Sequence, residues 1–224
     1  MQRGGGYISF IDSDDFVERD FLLKLYQGIK GCDMCACGYY FPFESHDKPQ
    51  NGTPIKYFTP YDFFKQYANK NVFVWNKLFS KHLFDNNRFK EGIIFEDSFI
   101  FTHLVFSCKK ISSIDDKLYC YACRDGSLSS TNWKTNLHKY YKLLGFYDSF
   151  SFLYANGIDF WKQYYCYSIS LIKELGFKYS PDVKYIFVKL RSFFFLNIFK
   201  VFSISKLIFF CFPRLFIFAK NRQL

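Results

Sequence analysis

Proline and glycine are scarce in this chain, 6 and 12 among 224 residues, and that excludes collagen-like and low-complexity architectures. Long apolar runs are missing too. Every uncharged stretch falls well short of the ~18–20 residues that span a bilayer, and a mean hydropathy of −0.10 argues against a polytopic membrane protein. Met1 is followed by Gln2-Arg3-Gly4-Gly5-Gly6, not by an apolar segment, so no signal peptide is expected. The four histidines, at 46, 82, 103 and 138, show no ligand-like spacing. What the chain does have is apolar and aromatic material, 50% hydrophobic with 32 Phe and 18 Tyr, enough to exclude disorder over most of its length.

The net charge of +10 is unevenly spread. Residues 1–130 are neutral overall, 131–184 carry +3, and 185–224 carry +7 with no acidic residue. The basicity therefore belongs to a tail, and a cationic, Phe-rich tail points to an anionic partner surface. Eight cysteines include two C-x-x-C pairs, Cys32/Cys35 and Cys120/Cys123. A four-thiolate zinc site is one reading. Each pair lies in an apolar, strand-like stretch, which favours reduced, buried cysteines in a cytoplasmic protein.

Along the chain, Tyr7–Ile11 reads as a buried strand after three glycines, and the apolar spacing from Phe16 to Ile29 predicts a helix, with Asp15 and Glu18 as a capping-box variant. Residues 33–41 read as a second strand, 44–56 as a loop, Pro60–Ala68 as a short helix, and 88–95 as a loop and short strand. Ser98–Cys108 reads as a helix, and 110–115 and 117–124 as two strands joined at Asp115-Asp116. Asn132–Asn156 and Asp159–Leu175 read as helices separated by Asn156-Gly157. From Pro181 the chain is expected to be helical to about Phe218, broken near Ser203–Ser205 and at Pro213. The acidic cluster Asp12-Ser13-Asp14-Asp15 thus follows a strand and precedes a helix, the edge of an open α/β sheet where ligands bind. If strand geometry persists, Asp12 and Asp14 point the same way and can hold Mg²⁺ or Mn²⁺ while phosphates add oxygens. A polar turn capping the next helix is the other reading.

A series of segments in order carries a resemblance. They are Gly6-Tyr7-Ile8-Ser9-Phe10-Ile11-Asp12-Ser13-Asp14-Asp15-Phe16, the helix Phe21–Tyr26, the strand Asp33–Tyr40 ending in Cys37-Gly38-Tyr39-Tyr40, Trp75-Asn76-Lys77-Leu78-Phe79, Phe89-Lys90-Glu91-Gly92 with Phe95-Glu96-Asp97, and Leu118-Tyr119-Cys120-Tyr121 followed by Arg124-Asp125-Gly126-Ser127. Together they resemble the family 2 glycosyltransferases over about residues 4–130, with the D-S-D-D segment matching that family's D-x-D motif. The resemblance implies a partial GT-A (Rossmann-like) α/β sheet followed by a helical C-terminal region, with residues 1–130 as the later part of a catalytic domain, 131–184 as a helical extension and 185–224 as a basic helical tail. It implies that Asp12 lies near the donor ribose and metal, that Asp14 binds a divalent cation bridging the diphosphate, and that Asp97 is the acceptor-side base. Glu96 is its neighbour in the E-D pair, or else a loop carboxylate or cap partner. Lys77 and Arg124 are candidate diphosphate or acceptor contacts. The alternatives are a solvated lysine stem over Trp75 and a surface ion pair to Asp125 or Asp116. Trp75 is read as core.

The resemblance also implies an N-terminally truncated domain. Family members place further βα units, which hold the nucleobase, ahead of the glycine-strand-D-S-D-D segment. The Q-x-x-R-W motif of processive synthases is missing, which favours single-sugar addition. The tail is expected to lie on an anionic membrane at its cytoplasmic face, and nucleic acid is not expected as a partner. The expected function is inverting transfer of a sugar from a nucleotide-diphosphate sugar to a glycan or lipid-linked acceptor in surface polysaccharide biosynthesis. An inactive remnant or scaffold without donor binding is the alternative.

Overall fold

A strand ten residues long organises the first half of the chain. In the computed structural model, which describes residues 6–43, 54–67, 73–122, 135–176, 179–197 and 203–211, the sheet strands are β1 (Tyr7–Ser9), β2 (Phe16–Val17), β3 (Met34–Tyr40), β4 (Ile55–Phe58), β5 (Lys77–Ser80) and β6 (Ile111–Cys120). Their order is β1-β5-β3-β6-β2, with β4 also on β6. Only β3 and β6 run parallel. β4 pairs with the first part of β6 and β2 with its last residues, both antiparallel.

Sequence patterning and structure differ at β6. The Asp115-Asp116 corner does not separate two strands. It is an irregularity inside one strand, where the β3–β6 register shifts around Gly38. A Cβ at Gly38 would lie 3.2 Å from the carbonyl oxygens of both Asp115 and Asp116, so glycine is what lets the two backbones come this close. Both carboxylates take lysine partners, Asp116 from Lys24 and Asp115 from Lys56 at 2.6 Å. Two acids in mid-strand look like a turn in the sequence; ion pairs make them tolerable in a strand.

Helix α1 (Phe21–Gly28) lays Phe21 and Leu25 on the sheet, and Ile29 follows just past its end. These side chains meet Cys32, Cys35, Cys37, Trp75, Leu78, Ile114, Leu118 and Tyr119. The helix is shorter than the period suggests. Residues 16–17 form β2, and Asp20, not Asp15, stands at the cap position, without a side-chain cap bond. The capping box is absent because Asp15 and Glu18 are engaged elsewhere. Asp15 accepts from Tyr119 and the Ala122 amide, and Glu18 accepts from Tyr40. Helix α2 (Pro60–Tyr67) packs on α3 (Asp97–Ser107), and α3 buries residues on all sides, Phe99 to Thr102 together with Leu104 and Val105, as a helix inside a core does. The loop expected to extend to residue 56 gives way to β4 at Ile55, and residues 88–95 contain no strand.

A second compact unit begins at Lys134, the first ending at Trp133. It contains α4 (Asn136–Ala155), α5 (Trp161–Leu175), α6 (Pro181–Leu196) and α7 (Ile204–Cys211). Thr135 caps α4 and Ser180 caps α6, each accepting an amide three residues on. Phe193 sits among Phe150, Tyr154, Trp161 and Tyr165 at 4.8–5.2 Å between ring centroids. α6 ends at Leu196, and residues 212–224, with Pro213, lie outside the described residues. No helix among the described residues is long and apolar enough to cross a membrane.

Candidate functional site

Strand register explains why distant motifs meet. β1 pairs with β5 so that Ser9 faces Leu78, and the Ser9 hydroxyl donates to the Lys77 carbonyl at 3.0 Å. β5 pairs with β3 so that Lys77 faces Ala36. The start of β5 therefore lies beside the end of β1, from which residues 10–15 lead off.

The acidic segment is a turn, with the Asp15 amide donating to the Asp12 carbonyl at 3.1 Å. β1 has already ended at Ser9, so strand alternation is not what orients Asp12 and Asp14. The turn is fixed instead by Tyr119. Its hydroxyl donates to the Asp15 carboxylate at 2.7 Å and accepts from the Asp12 amide at 3.1 Å. Behind Tyr119 stacks Trp75, 4.3 Å between centroids, which is buried in the core as expected. The Asp12 carboxyl titrates above its ordinary range because of partial burial and then the charges of Asp15, Asp14 and Glu96.

Glu96 and Asp97 open α3. Glu96 occupies the cap position, but its side chain makes no cap bond, so it is not the cap partner weighed from sequence. Phe95, just before it, has φ of 60°, a left-handed conformation that is strained for a bulky residue and is characteristic of functional sites. Asp97 is pushed up to about 7, first by burial and then by Glu96, with Asp12 adding to it; Lys77 and the Val74 amide oppose the rise.

Lys77 is fully buried, so it is not a solvated stem over Trp75. Its ammonium donates to the Phe73 carbonyl at 2.6 Å and to Asn76 Oδ1 at 2.7 Å, and lies 5.3 Å from the Phe101 ring centroid. Burial lowers its pKa to about 7, against the pull of Cys37 and Asp97. Lys77 and Asp97 thus influence each other's charge from a buried position. Asn76 places it: Nδ2 donates to the Cys37 carbonyl at 2.6 Å, and the Cys37 amide donates to the Asn76 carbonyl at 3.0 Å.

Asp12, Glu96, Asp97 and Lys77 therefore share one electrostatic cluster, with Asp14 acting on Asp12. Arg124 lies outside the described residues, as does Cys123 of the second cysteine pair. Cys32, Cys35 and Cys37 are free and buried, and burial pushes Cys35 up to about 11, which suits inert core thiols. Among the described residues no group of three or more His, Cys, Asp or Glu is gathered as a metal cage. Asn76 and Tyr119 are the structural members that sequence reasoning left without a role. Their only signal was position, one beside Lys77 and one in the Leu-Tyr-Cys-Tyr strand.

No known family model matches the chain. Two proteins of Streptococcus pneumoniae serotype 4, glycosyltransferase GlyA and glycosyltransferase GlyG, are each 29% identical over 147 residues. The matches cover 56% and 58% of this chain but 20% of GlyA and 48% of GlyG. The chain thus spans less than half the length of these relatives. Among solved structures, S. aureus TarS 1–349 in complex with UDP-GlcNAc superimposes with a TM-score of 0.55 at 16% identity, covering 86% of this chain and 58% of that one. TarS 1–349 alone gives 0.52 at 14%, covering 85% and 55%. The likeness is one of fold, a mixed α/β unit with a partial sheet and helices.

Proposed function

We propose that the chain is the acceptor-side and metal-side part of a family 2, GT-A-type glycosyltransferase. It transfers a sugar from a nucleotide-diphosphate sugar to a glycan or lipid-linked acceptor with inversion, in surface polysaccharide assembly. The observation that carries the reading is the single cluster formed by Asp12, Glu96 and Asp97, in which Asp97 is raised to about 7. The relatives named glycosyltransferases and the fold shared with a UDP-GlcNAc complex support the same reaction class and donor type.

In this mechanism the acceptor hydroxyl oxygen attacks the anomeric carbon while the bond to the diphosphate oxygen breaks. The proton passes to the Asp97 carboxylate, and the nucleoside diphosphate leaves. Lys77 and the Val74 amide hold Asp97 toward its ionised form. Glu96, exposed beside it, faces the acceptor side. Asp12 and Asp14 fit a divalent cation: they are hard oxygen donors, and Asp12 is crowded by like charges that a cation would relieve. Bound there, Mg²⁺ or Mn²⁺ would neutralise charge developing on the diphosphate. Arg124 remains a proposed diphosphate or acceptor contact.

The test is nucleoside diphosphate release with a nucleotide-sugar panel, Mn²⁺ and a glycan or lipid-linked acceptor. Asp97→Asn is expected to slow acceptor-dependent release by about 10²–10⁴-fold. Release that is unchanged in this variant overturns the assignment.

A further inference from the structure

The outward face of α6 is an apolar stripe with cations along both margins, and we infer that it is a docking surface for an anionic phospholipid bilayer. At about 100° per residue, Phe195, Val188, Ser192, Tyr185 and Leu196 fall within an arc of about 100°. Lys184 and Arg191 border it on one side and Lys189 on the other. Val183, Ile186, Phe187, Leu190 and Phe194 face the opposite way and are buried, so the stripe is not a surplus of the core. Tyr185 is 57% exposed, Val188 50%, Phe195 43% and Leu196 84%. These exposed apolar side chains lie together on one face of the helix rather than singly.

Charge complementarity identifies the occupant. The helix has one acidic residue, Asp182, which accepts from Tyr140 at 2.6 Å, and no acid follows it to the end of the chain. The Lys189 ammonium lies 5.3 Å from the Tyr185 ring centroid and the Arg191 guanidinium 5.9 Å from that of Phe195. The charged heads thus stand at the edges of the stripe with their stems along the rings, as in helices that lie in a headgroup layer. A second copy of the same face would bring like charges together at both margins. Val188 and Ser192 at the centre of the stripe offer nothing on which a base could stack. The helix runs parallel to the bilayer in this arrangement, with its buried face remaining on α5.

The experiment is vesicle flotation of the whole 224-residue chain, with no donor or acceptor present, so its outcome is independent of sugar transfer. Phosphatidylcholine vesicles are compared with vesicles containing phosphatidylglycerol. Partition onto the anionic vesicles is expected, weakened but not abolished by high salt, because only the charge contribution is screened. Lys184→Glu with Lys189→Glu and Arg191→Glu should lower partition by about a hundredfold or more. Val188→Ser with Phe195→Ser and Leu196→Ser should lower it at least about tenfold. All six positions are exposed, and circular dichroism verifies that the helices are intact. The last 28 residues stay in every variant, so a loss belongs to α6. Equal partition onto neutral and anionic vesicles, partition onto neither, or variants that float like the parent would each overturn the inference.

Discussion

A carboxyl group titrating near neutrality inside a protein has consequences for both rate and stability. If Asp97 accepts the acceptor's proton, transfer must rise with pH as Asp97 ionises, through about pH 7. Lys77 is the cation that opposes its elevation, so Lys77→Met should move this acid limb to higher pH. A merely structural lysine would lower the rate without moving the limb. The stability sign is opposite to that of a salt-bridged aspartate. Folding raises Asp97 from its ordinary 3.8 to about 7, so the folded state binds the extra proton between those values. Its contribution is therefore full below about 3.8 and is lost as pH rises to about 7. Denaturant titrations across that window should show parent stability falling relative to Asp97→Asn, whose amide does not titrate. Parallel curves would mean that Asp97 is not held in this way.

At the scale of elements, one strand and one tryptophan hold the site's floor. Trp75 stacks on Phe73, Tyr119 and Tyr121, and Tyr119 in turn fixes the acidic turn. Trp75→Ala should cost about 3–5 kcal/mol by thermal or chemical unfolding and loosen Asp12 with it. Gly38→Ala puts a methyl group against two backbone carbonyls that cannot rotate away, and about 1–3 kcal/mol of destabilisation is expected from such overpacking. Elements with strong local signals were legible in the sequence: β3 from its continuous apolar run, α2 from Pro60 and its period, α4 and α5 from the Asn156-Gly157 break. Elements made by long-range pairing were not. Phe16 and Val17 fit the α1 period, and only Cys120 and Tyr119 across the sheet make them a strand. Ile55–Phe58, among turn residues, becomes β4 because the first part of β6 has a vacant edge. In the site, the carboxylates were legible by type and order. The depth of Lys77 was not, because a lysine's enclosure depends on Phe73, Phe101 and Asn76, which no spacing rule brings around it.

The whole molecule poses the question of the donor. The matched relatives extend well beyond this chain, and the family resemblance implies that the nucleobase is held by βα units ahead of the glycine-strand-D-S-D-D segment. Calorimetry with UDP-, GDP- and dTDP-sugars should therefore show weak binding with little preference among bases. Tight, base-selective binding would show that the pocket is complete within the chain. The central position of β6 also has a temporal side. Every neighbour of β6 precedes it in the chain, and Met34 waits for Ile111, Phe16 for Cys120. Contacts this distant in sequence close slowly. During synthesis, which adds roughly 5–20 residues each second, the apolar β3 spends several seconds outside the ribosome before its parallel partner exists. The helices after residue 134 assemble from near neighbours and face no such delay. The nascent first unit is thus the stage most exposed to misassociation, and slowing translation before β6 should lower soluble yield more than slowing it after.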